Sequence, residues 1–236
     1  AVIVAFSGGV DSTYLAWAAH RALGGSARAI LAVSPSLPER ERDEAVALAG
    51  RIGIPLELVE TNELEDERYS RNTGDRCYWC RQALVEALRP WARKRDAVVV
   101  YGAVPDDLGD DRPGMRAAEA GGIRAPLIEV GLSKEEVREL ARRAGLPVWN
   151  KPAAACLASR VPVGHRVTRE KLARIEAAEE VLREQGFLML RVRDHGELAR
   201  IELAPEEIPR LADPHLRRTL VEGIRRAGYE RVTVDL

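Results

Sequence analysis

The sequence predicts an α/β fold: a parallel-sheet domain over residues 1–150, followed by a small α+β domain over residues 151–236. Three observations carry this. Short β-branched runs alternate with amphipathic stretches through the first 150 residues, the pattern of successive βαβ units. A Ser-Gly-Gly turn stands where the first apolar run hands over to the first helical stretch. Beyond a Lys-Pro-Ala segment the order changes to helix, strand, strand, helix, strand.

Val2-Ile3-Val4-Ala5-Phe6 is an unbroken apolar run, as a strand covered on both faces requires. A helix follows from Ser12 to about Leu23, stopped by Gly24-Gly25. Ala29–Val33 is the second strand. The next helix spans Pro38 to Ile52, with Ala45, Leu48, Ala49 and Ile52 at helical spacing and Gly53 as its stop. Leu56–Val59 is the third strand. A polar loop carrying Asn72 and Gly74 leads to a helix from about Trp79 to Lys94, and Ala97–Tyr101 is the fourth strand. Its exit, Gly102 to Asp107, is rich in turn and acceptor residues and need not be helical. Ser133-Lys134-Glu135-Glu136 is a capping box opening a helix that ends at Gly145, before Pro147. In the second domain Thr168 caps a helix with Leu172, Ile175 and Leu182 on one face, ending at Gly186. Phe187–Arg193 alternates as a half-buried strand, His195-Gly196-Glu197 turns, and Leu198–Leu203 pairs back. A helix from about His215 to Ala227 and a strand over Arg231–Val234 complete the pattern. No internal repeat or low-complexity tract interrupts it.

With 236 residues, 46% of them hydrophobic, the chain can bury one large and one small core. No run of about 18 uncharged apolar residues is present, and the apolar start is too short for a signal segment. A cytoplasmic protein without membrane attachment is expected. Acids (37) and bases (36) nearly cancel, and the isoelectric point is about 6.5. This leaves no global electrostatic footprint for nucleic acid or anionic lipid. Three cysteines, an odd number without an export signal, argue against a disulfide framework. Thiol or metal chemistry stays open.

Ser7-Gly8-Gly9-Val10-Asp11-Ser12 gathers backbone N–H groups, two hydroxyls and a helix N-terminus around one concave point. Such a nest suits a phosphate. The glycines admit close backbone approach, and Ser7 and Ser12 can donate to phosphate oxygens. Asp11 cannot donate, so it serves a metal–phosphate contact or a structural hydrogen bond. The lysine of the mononucleotide P-loop is absent.

Cys77 and Cys80 lie in Arg76-Cys77-Tyr78-Trp79-Cys80, and Cys156 in Lys151-Pro152-Ala153-Ala154-Ala155-Cys156-Leu157-Ala158-Ser159-Arg160. The CxxC spacing puts two sulfurs about one helical turn apart, where both can bind one metal or cluster. Three thiolates suit a 4Fe–4S cluster with one iron open to an outside ligand. A closed zinc site needs a fourth ligand, for which His165 is nearest in sequence. Three unrelated buried thiols also satisfy the count. Trp79 either stacks on a nucleotide or shields a cluster.

The hexamer SGGVDS resembles the pyrophosphate loop of the PP-loop N-type ATP pyrophosphatases, which include GMP synthetase, NAD synthetase and tRNA thiolases. The fold this implies is adenine nucleotide α-hydrolase-like, binding ATP with Mg2+. By resemblance, Val33 and Ser34 border the adenine and Gly102 approaches the ribose, in keeping with ligand binding at the carboxyl ends of open-sheet strands. Together with Pro38-Glu39-Arg40-Glu41-Arg42, RCYWC, DDRPG, GLSKEEVR, KPAAACLASR and RVRDHGELARIE, the chain resembles the ATP-dependent sacrificial sulfur transferases, LarE-like proteins, over nearly its whole length. That family is implied to adenylylate a carboxylate of pyridinium-3,5-biscarboxylic acid mononucleotide and to install sulfur, in the synthesis of the nickel-pincer nucleotide. Members with one cysteine at the place of Cys156 sacrifice its sulfur and leave dehydroalanine. Members that also carry CxxC are implied to hold a 4Fe–4S cluster through residues matching Cys77, Cys80 and Cys156. The resemblance further implies a homo-oligomer, a hexamer being one form, and a small-molecule nucleotide as partner.

The chemistry ties these pieces together. A carboxylate is a poor electrophile until ATP converts one oxygen into an AMP leaving group, whereupon a thiolate or bound sulfide attacks at neutral pH.

Arg191 and Arg193 stand two apart in a strand and share a face. With Ser159 they are implied by the resemblance to cradle the substrate's 5′-phosphate; the alternative is a solvated sheet face. Arg200 and Glu202 share a face in the partner strand and can pair with each other. Glu179 and Glu202 match positions where the family gathers carboxylates near a divalent ion; a plain exposed helix position is the alternative for Glu179. His20, His165, His195 and His215 are scattered and take no acid–base role. Two rival functions stay open: a tRNA thiolase of the same superfamily, separable by tRNA binding, and a non-catalytic nucleotide-binding regulator, which would release no pyrophosphate.

Overall fold

The computed structural model describes residues 1–109 and 113–235. Asp110, Asp111 and Arg112 of the DDRPG motif lie outside the described residues. The chain divides into two compact units, Ala1–Tyr69 with Asp75–Ala154 and Ser70–Gly74 with Ala155–Leu236.

The first unit holds strands β1 (Val2–Phe6), β2 (Ala27–Val33), β3 (Leu56–Glu60) and β4 (Val98–Tyr101). They form a parallel sheet in the order β3-β2-β1-β4. Central β1 is buried on both sides, which is why its sequence is uninterrupted apolar. Val4 and Phe6 face one core layer with Leu31, Ala45, Leu48 and Val137, while Ile3 and Ala5 face the other with Ile30, Val85 and Leu88. Each such large side chain contributes about 2 kcal/mol through burial. Helices α1 (Val10–Leu23) and α2 (Glu39–Ile52) contribute to the first layer. Next come the one-turn helix α3 (Glu67–Ser70) and the long α4 (Arg76–Arg95), which serves the second layer. Helices α5 (Pro113–Ala120) and α6 (Pro126–Glu129) precede α7 (Lys134–Arg143).

The capping box of α7 is present as the sequence implies: Glu136 N donates to Ser133 Oγ at 3.3 Å and Ser133 N donates to Glu136 Oε2 at 2.8 Å. Other boundaries differ from expectation. Helix α1 begins at Val10 rather than Ser12, because Gly9 already supplies the extended cap residue. Helix α4 begins at Arg76 rather than Trp79 and so takes in both cysteines of CxxC. The exit of β4 includes a 3-10 turn over Pro105–Gly109. Helices α5 and α6, four to eight residues long, are too short for periodicity to reveal.

The second unit packs α8 (Arg169–Glu184) and α9 (Pro214–Arg226) on a sheet of β5 (Leu190–His195), β6 (Leu198–Leu203) and β7 (Arg231–Val234). Strands β5 and β6 are antiparallel, β6 and β7 parallel. Strand β5 starts at Leu190 rather than Phe187, since Phe187 turns into the core while Leu188 and Met189 are exposed. Residues 70–74 join this unit through Asn72. Its buried side-chain Nδ2 donates to the carbonyls of Val161 (3.2 Å), Pro162 (2.8 Å) and His165 (3.1 Å).

Candidate functional site

Ser7-Gly8-Gly9 leaves β1, and Val10-Asp11-Ser12 opens α1. Gly8 has φ +72°, and a Cβ there would sit 2.8 Å from Cβ of Ala45, so only glycine fits beneath α2. Gly9 caps α1 in an extended conformation with no side chain on the helix end. The first-turn amides therefore stay open to an anion. Ser12 is buried and braces the turn: it accepts from Ser7 N at 3.2 Å, lies 3.0 Å from Ser7 Oγ and donates to Gly9 O at 3.1 Å. Ser7 is exposed.

Asp11 pairs through Oδ2 with the ammonium of Lys134, the first residue of α7. Its Oδ1 is buried and takes no hydrogen bond. The pair with Lys134 is the structural hydrogen bond the sequence allows, and the orphaned oxygen leaves a carboxylate ligand that fits a cation. Lys134 is the residue sequence reading missed. It stands in the capping box already recognised, but 123 positions from the carboxylate it meets, and no spacing rule reports such a pair.

Gly102 lies against the same turn, where a Cβ would stand 2.6 Å from Ser12 N. Close packing alone thus demands glycine there. Val33 ends β2 half-buried, and its carbonyl accepts from Thr61 N at 3.0 Å. Ser34 Oγ accepts from Ser36 N at 3.2 Å in the turn that follows. Ser7–Ser12, Val33, Ser34 and Gly102 all sit at the carboxyl ends of β1, β2 and β4, and the strand order reverses between β1 and β4. Ligands of open α/β sheets bind at such a reversal. In the same unit Lys151 Nζ reaches Glu41 (2.7 Å) and Glu44 (2.8 Å) on α2. Burial works against its charge, but the two carboxylates outweigh it and hold the ammonium above its ordinary range.

Cys77 and Cys80 are exposed on the first two turns of α4. Trp79 between them donates Nε1–H to Asp75 Oδ2 at 2.8 Å, and the Arg68 guanidinium lies 3.8 Å from its ring centre. Its face is thus already occupied by a cation.

In the second unit Cys156 is exposed and extended just before the 3-10 turn Leu157–Arg160. Arg160 Nη1 donates to the carbonyls of Ala155 (2.8 Å) and Cys156 (3.2 Å), fixing the backbone on both sides of the thiol-bearing carbon. The alternative of three buried thiols does not hold, since all three are exposed. His165 is exposed too. Among the described residues no three His, Cys, Asp or Glu side chains are grouped so as to hold a metal ion.

Glu179 is fully buried in α8 rather than exposed. Its carboxylate accepts from Arg160 Nε (2.8 Å), Arg183 Nη2 (2.9 Å) and Val192 N (3.2 Å). These donors take both oxygens, which makes it the anchor of Arg160 and leaves little room for an ion. Arg193 donates to Ser159 O at 2.8 Å and to Glu202 Oε1 at 2.8 Å, and Arg200 Nη2 reaches the same oxygen at 3.0 Å. Arg191 lies opposite Glu202 and is exposed on that face. The structure so brings Ser159, Arg191, Arg193 and Glu202 together. Two arginines restrain Glu202, holding its carboxyl below the usual range against the upward push of burial.

No family model matches this chain. An uncharacterized protein of Synechocystis is 46% identical over 99% of the chain and 88% of its own length. Pyridinium-3,5-bisthiocarboxylic acid mononucleotide synthase of Lactiplantibacillus plantarum is 36% identical over 100% of the chain and 85% of its own length. The glutamine-hydrolyzing GMP synthase of Aeropyrum pernix is 30% identical over 78% of the chain and 39% of its own length. A parallel sheet with an amide-rich Ser-Gly-Gly turn at its point of reversal, joined to a small α+β unit, defines an α/β protein of the PP-loop class. Within that class the chain belongs to the LarE-like family, that of pyridinium-3,5-bisthiocarboxylic acid mononucleotide synthase.

Proposed function

We propose that the protein is an ATP-dependent sulfur transferase that converts the carboxylates of pyridinium-3,5-biscarboxylic acid mononucleotide into thiocarboxylates, in nickel-pincer nucleotide synthesis. The observation that carries this reading is full-length kinship with the synthase of that name, supported by an open anion nest beside Lys134 and an exposed, braced Cys156.

The first unit binds ATP. Amides of Gly9 to Ser12 and the Ser7 hydroxyl grip the β- and γ-phosphates, Lys134 neutralises them, and Asp11 would hold Mg2+ through its free oxygen. Val33, Ser34 and Gly102 flank the nucleoside. A substrate carboxylate oxygen attacks the α-phosphorus, the bond to the bridging oxygen breaks, and pyrophosphate leaves. The second unit holds the substrate phosphate with Ser159, Arg191 and Arg193.

A sulfur nucleophile then attacks the acyl carbon and AMP departs. When Cys156 supplies it, a thioester forms; loss of the cysteine Cα proton and cleavage of the Cβ–S bond leave dehydroalanine and the thiocarboxylate. Cys77, Cys80 and Cys156 would alternatively hold a 4Fe–4S cluster, which when bound supplies a transferable sulfide. The test is pyrophosphate release on adding the dicarboxylate nucleotide to protein and ATP. Release that depends on this nucleotide is expected, with Lys134→Ala slowing it about a hundredfold or more. Release driven equally by tRNA, or none with either, overturns the reading.

A further inference from the structure

The first unit also carries a cleft of about 200 Å3 between the segment after β3 and the flank of α4. Its lining includes Glu60, Glu63, Asp66 and Glu86, against one cation, Arg68. Arg68 is engaged: it pairs with Asp66 at 2.7 Å and lies over Trp79. Glu63 is the informative residue. It is 3% exposed, yet its Oε2 is buried and takes no hydrogen bond from the protein. Thr61, Asn62 and Gln82 supply further polar lining.

This cleft is separate from the sulfur-bearing surface. Trp79, Gln82, Ala83 and Glu86 line it at i, i+3, i+4 and i+7 along α4. From the centre of that stripe Cys80 lies about a third, and Cys77 nearly half, of the helix circumference away. A metal ion is a poor occupant, since no three such ligands are grouped for one among the described residues.

The geometry points to a binding site for a small organic cation with a primary ammonium group, seated on Glu63 and rimmed by Glu60 and Glu86. An ammonium brings three donors on a compact charge, which satisfies an orphaned carboxylate oxygen and neighbouring amide or hydroxyl oxygens together. This site goes beyond the sulfur-transfer reading and does not depend on it.

Calorimetric titration of the full chain without ATP, using putrescine with butanediol as neutral comparator, tests it. Saturable putrescine binding in the millimolar range or tighter is expected at low salt, about tenfold or more weaker in Glu63→Gln, with no butanediol binding. Should Glu63→Gln fail to fold, the exposed-rim variant Glu86→Gln is expected to weaken binding several-fold. Putrescine heats no larger than those of butanediol, or equal affinity in whichever variant folds, overturn the proposal. Saturable Mg2+ binding in place of putrescine overturns it as well. Neither failure touches the pyrophosphate assay.

Discussion

At the scale of single residues, the proposed chemistry rests on Cys156, Lys134 and Glu179. Cys156 is exposed, but the backbone that bears it is tied down by Arg160, which in turn rests on buried Glu179. Cys156→Ser is therefore expected to keep substrate-dependent pyrophosphate release while forming no thiocarboxylate; loss of both activities would separate Cys156 from the sulfur step. Glu179→Ala leaves Arg160 buried without its partner. A loss of about 3–5 kcal/mol in urea unfolding is expected, and a loss under about 1 kcal/mol would show that the pair is not needed. For the cluster, anaerobically prepared protein is expected to be brown, with the colour gone in Cys77→Ala or Cys80→Ala. Colourless protein that loses the mass of a sulfur atom on turnover would instead support direct sacrifice of Cys156. Residue identities in SGGVDS and CxxC were legible in the sequence because local spacing encodes them. Lys134 and the Glu179–Arg160 pair were not, because each owes its role to a partner brought close only by the fold.

At the scale of elements, the strands were the most legible part. Central β1 announces itself by continuous apolar sequence, and β5 by its alternation against a buried face. Boundaries near the site were read less well, since the first turns of α1 and α4 contain residues with no strong helical preference. Asp75 and Gly9 start those helices without a side-chain cap. Helix α7 shows the contrast, with both halves of its capping box in place. Ser133→Ala is expected to cost about 1 kcal/mol, read from the urea midpoint, and to weaken ATP binding as Lys134 loosens; unchanged ATP affinity would disconnect the cap from the site. In the second unit Tyr229 donates to buried Asp194 at 3.1 Å. Burial, and next the Asp194 charge, raise its phenol above the ordinary value of about 10. Protonated Tyr229 is thus favoured by folding: its stabilisation is full below pH ~10 and is lost as pH rises through the folded value. Urea midpoints should fall above pH ~10 more steeply in the wild type than in Tyr229→Phe. Parallel slopes would contradict this assignment.

At the scale of the whole molecule, the proposed function divides one reaction between two compact units, assigning the triphosphate to one and the phosphorylated acceptor to the other. Composition could bound this but not reveal it: a net charge of −1 argues against a polyanion partner and says nothing of a local pair of strand arginines. Likewise the excursion of residues 70–74 into the second unit has no sequence signature, because Asn72 reads as a loop residue until its three carbonyl partners are seen. The most direct test of the central claim is the mass of the nucleotide product, followed with AMP and pyrophosphate, after anaerobic incubation of the protein with ATP and pyridinium-3,5-biscarboxylic acid mononucleotide. The account predicts replacement of carboxylate oxygen by sulfur in step with AMP and pyrophosphate. Nucleotide of unchanged mass, with ATP intact or cleaved only to ADP and phosphate, would contradict it.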